Sequence, residues 1–377
     1  MCIYFILEIL CLILVVSTSN QKEINKKRFF FVYCILWGIV AGLRRYDVGN
    51  DTLGYVAFFE GTNIKGIGYG TVQYPGETIE YGFVLLSRFL NFISTNGTFF
   101  LLVEGLFIYY AIYLTYKNQK YGLWSFLIFM LIGNNFVVLH AMIRQVFSIA
   151  FLLIGIYYFQ KNGMKYNSYK DLKKTNVLCG ILCCIFAATI HRTSIILFPL
   201  LLIIYFMPMS KRIGYSIVTG SFLISIFFQS QIGAFFDNVL FFIGGFNNDI
   251  VSLLGDRYAD TFGETSSSLI RNLSWTIPCL VTLSFTDKEK IKLFYVKCYI
   301  FSVSAFLIFN ASYMITRLNL VFLILGFTAS LPDAISKNIK LRTFYILVTL
   351  YYLWRAYIGF EKWTITDSSL PYYFIWE

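Results

Sequence analysis

Long apolar runs alternate with short basic breaks along almost the whole chain. Runs near the roughly 20 residues that a helix needs to cross a bilayer core predict membrane helices over residues 2–18, 29–43, 98–116, 122–140, 141–160, 176–191, 193–208, 213–229, 269–286, 293–311, 312–330 and 339–357. The segment 79–94, IEYGFVLLSRFLNFIS, is shorter, amphipathic and carries Glu80 and Arg88, which predicts a helix lying in the membrane interface rather than crossing it. The first run has no basic lead and no small-residue cleavage pattern, so it reads as a retained helix and not as a removed signal. Two hydrophilic stretches, residues 44–78 and 230–268, interrupt the pattern; loops of that length are uncommon unless they are functional. No repeat or low-complexity linker divides the chain, so residues 1–377 are expected as a single integral membrane domain. The fold class that follows is an all-α polytopic membrane protein with about twelve transmembrane helices and one interfacial amphipathic helix.

Composition sharpens this picture. The chain is 58% hydrophobic and only 14% charged, against roughly 25% charge in soluble domains, and this excludes a soluble globular protein. The net charge of +11 would suggest nucleic acid in a soluble chain, but here it is topological. Six basic clusters, at Lys22–Arg28, Lys117–Lys120, Lys161–Lys174, Lys211–Arg212, Lys288–Lys292 and Lys337–Arg342, hold 19 of the 31 basic residues, with five acids in the same loops. Such clusters face the cytoplasm, and the twelve runs place all six there if 79–94 does not cross. Both termini and both hydrophilic stretches then lie outside. The eight cysteines fall inside apolar runs, where they behave as small hydrophobes and predict neither disulfides nor zinc. With no Walker loop, HExxH, GxSxG or DxD motif, and only His140 and His191 as histidines, no cofactor and no metal are expected.

The informative charges are those outside the basic breaks. Arg44 and Arg45 end the second run and are followed by Asp47 and Asp51; Arg144 lies within HAMIRQVFSIAFLL, His191 and Arg192 within ATIHRTSIILFPL, Arg257 within GDRYADTF and Arg317 within SYMITRLNLVFLIL. An ionised side chain in the hydrocarbon zone costs at least about 2.5–3.5 kcal/mol, so Arg144 and Arg317 are expected to face a polar cavity at the outer surface. Guanidinium groups converging from separate helices suit a phosphate-bearing anion, because they stay charged and offer forked donors. Each also has a plainer reading: Arg44 and Arg45 as interface anchors, Arg144 and Arg317 as snorkelling or structurally paired groups, and His191 as a helix cap. Asp47 and Asp51, four apart, share a face if that stretch is helical.

These stretches resemble the EpsG/Wzy-type polysaccharide polymerases. RRYDVGNDTLGYVAFF resembles the family's Arg, Gly, Asp and Tyr signature, and IEYGFVLLSRFL the segment that follows it. MIRQVFSIAFLLIGIYYF resembles its Arg-Gln helix, IHRTSIILFPLLLI its His-x-Ser/Thr helix start, and TRLNLVF with SLPYYF its C-terminal Arg and Pro-Tyr features. Thr52 and Tyr81 depart from the usual residues at their places, and Thr193 follows the His–Arg pair where Ser or Thr is expected at that place or one earlier. The resemblance implies a GT-C-like glycosyltransferase architecture in the bacterial inner membrane, joining undecaprenyl-diphosphate-linked oligosaccharide units into O-antigen, capsule or exopolysaccharide at the outer face. It also implies a chain-length regulator as a possible partner and no nucleic acid. Arg144 and Arg317 would neutralise the leaving diphosphate, and Asp47, Asp51 or His191 would take the acceptor proton. Arg44, Arg45, Tyr55, Gln145, Arg192, Arg257 and Tyr258 are the substrate-binding candidates. An O-antigen ligase needs the same diphosphate site, and a lipid-linked oligosaccharide flippase or other transporter also uses buried arginines, although transporters tend to place them near the midplane. These remain the alternative readings.

Overall fold

The computed structural model describes residues 3–18, 21–49, 52–61, 79–132, 135–161, 174–228, 231, 269–309, 313–366, 374 and 376. Among them the regular structure is helical, and the one isolated bridge joins Arg44 to Phe374. The chain divides into two compact units, residues 1–203 with 346–377, and residues 204–345.

The first unit contains α1 (Ile3–Ser17), α2 (Glu23–Gly42), α3 (Thr52–Gly61), α4 (Tyr81–Ile93), α5 (Gly97–Tyr116), α6 (Gly122–Leu131), α7 (Asn135–Ala141), α8 (Ile143–Lys161), α9 (Lys174–Ile190) and most of α10 (Thr193–Phe206). Its centre is the pair α2 and α5, where small residues let two backbones approach closely, as membrane helices use them. A Cβ at Gly105 would lie 2.9 Å from the Ala41 Cβ, and one at Gly38 would lie 2.9 Å from the Leu106 Cα. Tyr4, Tyr33, Trp37 and Tyr109 fill the layer between α1, α2 and α5, with Trp37 and Tyr109 stacked at 5.7 Å.

The direction of these helices sorts the charges. Lys27, near the start of α2, donates to Asn118, just past α5, at 3.0 Å, and Lys117 lies over the ring of Tyr157, late in α8. The end of α2, the first turns of α5 and the start of α8 therefore meet at the opposite end of this unit, with Arg44, Glu104 and Arg144. The first and second basic clusters share one end, and the arginines occupy the other.

The second unit contains α11 (Lys211–Phe227), α12 (Leu269–Phe285), α13 (Phe294–Phe309), α14 (Tyr313–Phe327) and the first turns of α15 (Ile339–Thr366). Trp275 stacks on Phe306 at 3.9 Å, and Gly326 admits the Tyr299 backbone, whose Cα a Cβ there would meet at 2.6 Å. Polar side chains are tied off internally: Asn272 donates to Ser225 at 3.0 Å, Asn319 to the Ser302 carbonyl at 2.9 Å and Lys297 to the Tyr205 carbonyl at 2.7 Å.

Two expectations change in detail. The apolar run 122–140 is not one helix: α6 stops at Leu131, and Asn135 at the start of α7 turns its amide back onto the Phe129 carbonyl at 2.6 Å. Asparagine competes for backbone groups in this way and favours breaks over helix interiors. The stretch 44–78 is not all loop either, since Tyr55, Val56 and Phe59 form the buried stripe of α3. Among the described residues two helices, Gly97–Tyr116 and Ile143–Gln160, are long and apolar enough to cross a membrane, and seven more apolar helices are shorter.

Candidate functional site

The chain leaves α2 through Leu43 into a tight turn. The Val48 N–H donates to the Arg45 carbonyl at 2.9 Å, Gly49 takes φ +99°, and the Thr52 N–H returns to the Gly49 carbonyl at 3.0 Å. A left-handed residue is required there, and glycine meets it without steric cost. A side chain would also meet Thr52 Oγ1 at 2.7 Å. The turn directs the chain into α3, which packs with α4 over α5 and α8. Tyr55, Phe59, Phe83, Phe100, Phe147 and Ile190 form the apolar floor.

Above that floor Arg144, in the first turn of α8, reaches across to both covering helices. Its Nε donates to the Tyr55 hydroxyl at 2.5 Å and its Nη1 to Glu80 Oε2 at 2.8 Å; its guanidinium centre is 5.3 Å from the Tyr55 ring centroid. Glu80 is the N-cap residue of α4, but its carboxylate makes no capping bond within that helix. The second oxygen instead accepts the Arg192 backbone N–H at 3.3 Å. One carboxylate thus joins the starts of α4 and α8 to the junction of α9 and α10. The pair is neither sealed nor free, with side-chain exposures of 18% for Arg144 and 11% for Glu80.

The α9–α10 junction is held to the same face of α8. Ser148, one turn beyond Arg144, donates to the Ala187 carbonyl at 2.7 Å and bonds the Ser194 hydroxyl at 2.5 Å. Between these anchors His191 Nδ1 accepts the Thr193 N–H at 3.2 Å and bonds the Thr193 hydroxyl at 2.9 Å. Close packing fixes α4: a Cβ on Gly82 would fall 2.6 Å from the carbonyl carbon and oxygen of Thr189.

Arg44 has a different setting. The sequence makes it a substrate candidate, but its side chain is fully enclosed and donates to Glu104 Oε2 at 3.3 and 3.4 Å, to the His140 carbonyl at 3.0 Å and to the Ala41 carbonyl. No guanidinium edge is exposed to a ligand, because α2 carries Arg44 back towards α5 and α7. His140 is equally occupied, with Nδ1 3.0 Å from the Tyr4 hydroxyl and Nε2 3.2 Å from that of Tyr109. This enclosed cluster ties α1, α2, α5 and α7 together.

Of the other candidates, Tyr55 and Arg192 join the Arg144 cluster, the latter through its backbone, and His191 sits beside it. Gln145 is buried next to Arg144 in the chain. Arg45 and Asp47 form a forked pair at the surface, both contacts 2.7 Å, and that hydrogen bond holds the Asp47 carboxyl below its ordinary range despite partial desolvation. Asp47 is accordingly a weak proton acceptor. Asp51, Arg257 and Tyr258 lie outside the described residues, as does the side chain of Arg317, whose backbone is in α14 of the second unit. Glu80 and Glu104 were not among the sequence candidates. The signal for Glu80 was present, since it is an acid at the head of an amphipathic helix, but nothing in spacing links it to Arg144, 64 residues away.

Among the described residues no three His, Cys, Asp or Glu side chains gather as a metal site. No curated protein and no solved structure gives a significant match to the chain. The family model described as "EpsG family" matches residues 27–374, nearly the whole length and both units, and this strongly apolar chain, helical among its described residues, belongs to the EpsG family.

Proposed function

We propose that the protein is a polysaccharide polymerase of the bacterial inner membrane. It transfers a growing glycan from undecaprenyl diphosphate onto the next lipid-linked repeat unit at the extracytoplasmic face. Its supports are the family match over residues 27–374 and one structural observation: Arg144, anchored on two long-range partners but 18% exposed, at the end of the first unit away from the Lys27 and Lys117 clusters. If those clusters are cytoplasmic, Arg144 faces outward. About twelve crossings and a GT-C-like arrangement belong to this reading, as does a chain-length regulator as partner.

The chemistry asks for stabilised negative charge on the leaving diphosphate. A guanidinium whose Nε is held by Tyr55 is aligned before the ligand arrives, and its forked donors match phosphate oxygens. By the family resemblance Arg317 remains a proposed catalytic residue and Arg257 a proposed substrate-binding one. The apolar floor of Phe and Tyr rings beneath Arg144 lowers the local dielectric, which strengthens charge stabilisation.

Arg144→Lys keeps the charge but loses the fork. Expected is loss of long polysaccharide by about 10²–10³-fold at unchanged protein level, with single lipid-linked units accumulating outside the membrane. Polymer ladders on gels and surface labelling of the units are the measurements. Wild-type polymer would refute the assignment of Arg144. Units trapped inside would indicate a flippase, and long polymer made but left unattached to its final acceptor would indicate a ligase.

A further inference from the structure

The polymerisation reading requires a group to take the acceptor hydroxyl's proton, and the carboxylates at this end of the first unit differ in their fitness for it. Asp47 is forked onto Arg45 and held below its usual range, Glu60 accepts the Gly97 N–H at 2.9 Å, and Glu104 is enclosed with Arg44. Glu80 alone among these touches Arg144, at 2.8 Å. His191 has its Nδ1 occupied by Thr193.

We infer that Glu80 is a ligand-released proton acceptor. Its Oε2 lies 2.8 Å from Arg144 Nη1, on the guanidinium edge that a phosphate would fork onto, so diphosphate and carboxylate compete for that edge. A dianionic diphosphate outbids a monoanionic carboxylate for a guanidinium. Glu80 is not lost when this happens, because Oε1 keeps the Arg192 backbone N–H and α4 is fixed by the contact of Gly82 with Thr189. Binding of the donor therefore leaves one unpaired carboxylate oxygen beside the diphosphate, within reach of an acceptor hydroxyl delivered there.

The step balances. The acceptor oxygen forms a bond to the anomeric carbon of the donor sugar while the bond from that carbon to the diphosphate oxygen breaks. The electron pair leaves on the undecaprenyl diphosphate, and the hydroxyl proton passes to Glu80. Protonation also removes a repulsion between neighbouring anions. When the diphosphate departs, Glu80 gives its proton to water and closes again on Arg144. The resting pair thus keeps the base engaged until a donor is bound.

This proposal rests on the polymerase reading, and the test separates the two. Full-length protein in nanodiscs is assayed for polymer formation from purified lipid-linked repeat units and for binding of farnesyl diphosphate, a short isoprenyl diphosphate probe. Glu80→Gln can still accept from Arg144 and Arg192 but takes no proton. Its polymerisation falls by about 10²-fold or more, while the probe binds as tightly as to wild type or more tightly, because the competing charge is gone. Glu80→Ala regains rate in added formate, a small carboxylate that enters the vacated space. Polymer at the wild-type rate from Glu80→Gln overturns the role of Glu80, as does loss of probe binding together with activity, or a Glu80→Ala rate independent of formate. Wild-type protein that neither binds the probe nor makes polymer overturns the polymerase reading itself.

Discussion

Two arginine–glutamate pairs stand at the same end of the first unit, and they differ in almost everything but chemistry. Arg44 and Glu104 have side-chain exposures of 0% and 1%, with contacts of 3.3 Å and longer, and Arg44 Nε and Glu104 Oε1 have no hydrogen-bond partner. Arg144 and Glu80 meet at 2.8 Å, are partly open, and each also holds another element, Tyr55 on α3 or the Arg192 backbone. A sealed ion pair is weak evidence for net stability, because desolvation offsets most of its attraction. It is nonetheless strong glue against the loss of either member. An open pair can exchange partners at little cost. The difference teaches that an intramembrane arginine is read by what else can reach its donors.

The sharpest break of this comparison is Glu104→Ala. It strands a buried guanidinium and is expected to cost about 3–5 kcal/mol, against a total stability of about 5–15 kcal/mol. The measurement is the thermal midpoint of detergent-solubilised protein, together with its abundance in membranes. Replacing both partners, Arg44→Met with Glu104→Leu, removes the charge along with its mate and should recover most of that loss. If the double variant also recovers polymer, Arg44 acts as a strut. If stability returns without polymer, Arg44 has a second role and the two pairs are less distinct than their exposures suggest.

The next effect is smaller and concerns position. Gly82→Ala places a methyl 2.6 Å from the Thr189 carbonyl, so α4 must move away from α9. Overpacking of this kind costs about 1–3 kcal/mol. Because Glu80 is two residues from Gly82, polymer formation should fall by a larger factor than abundance. Equal losses would mean that the placement of α4 matters only for folding.

The sequence made one half of this comparison legible. Arg144, His191 and Arg192 stand out as polar residues in apolar runs, and the gathered lysines mark one end of the unit, where Lys27 meets Asn118. Arg44 stands out for the same reason, because a helix-end arginine looks the same whether it faces a cavity or a neighbouring acid. What separates the two is Glu104, in mid-helix, and the small-residue contact of Gly38, Ala41 and Gly105 that brings α5 close. Long-range packing sets that contact, and periodicity does not report it. The apolar stripe of α3 was readable from Tyr55, Val56 and Phe59, but the polar residues around it masked so short a helix.

The smallest expected effect tests the third acidic partner, Asp47, at the surface. Its carboxyl is held below the ordinary range by the hydrogen bond from Arg45, and the side chains are 56% and 35% exposed. Such pairs contribute about 0–1 kcal/mol. The folded-state value is depressed, so the contribution is present at neutral pH, fades as pH falls below the unfolded carboxylate range near about 4, and is gone once the folded group is protonated. Asp47→Asn should therefore shift the thermal midpoint slightly at neutral pH, less in high salt and not at all at the acid end. Its polymer formation should fall far less than that of Glu80→Gln. A loss as large as that of Glu80→Gln would move the proton acceptor to the surface turn and leave the Arg144 pair with diphosphate binding alone.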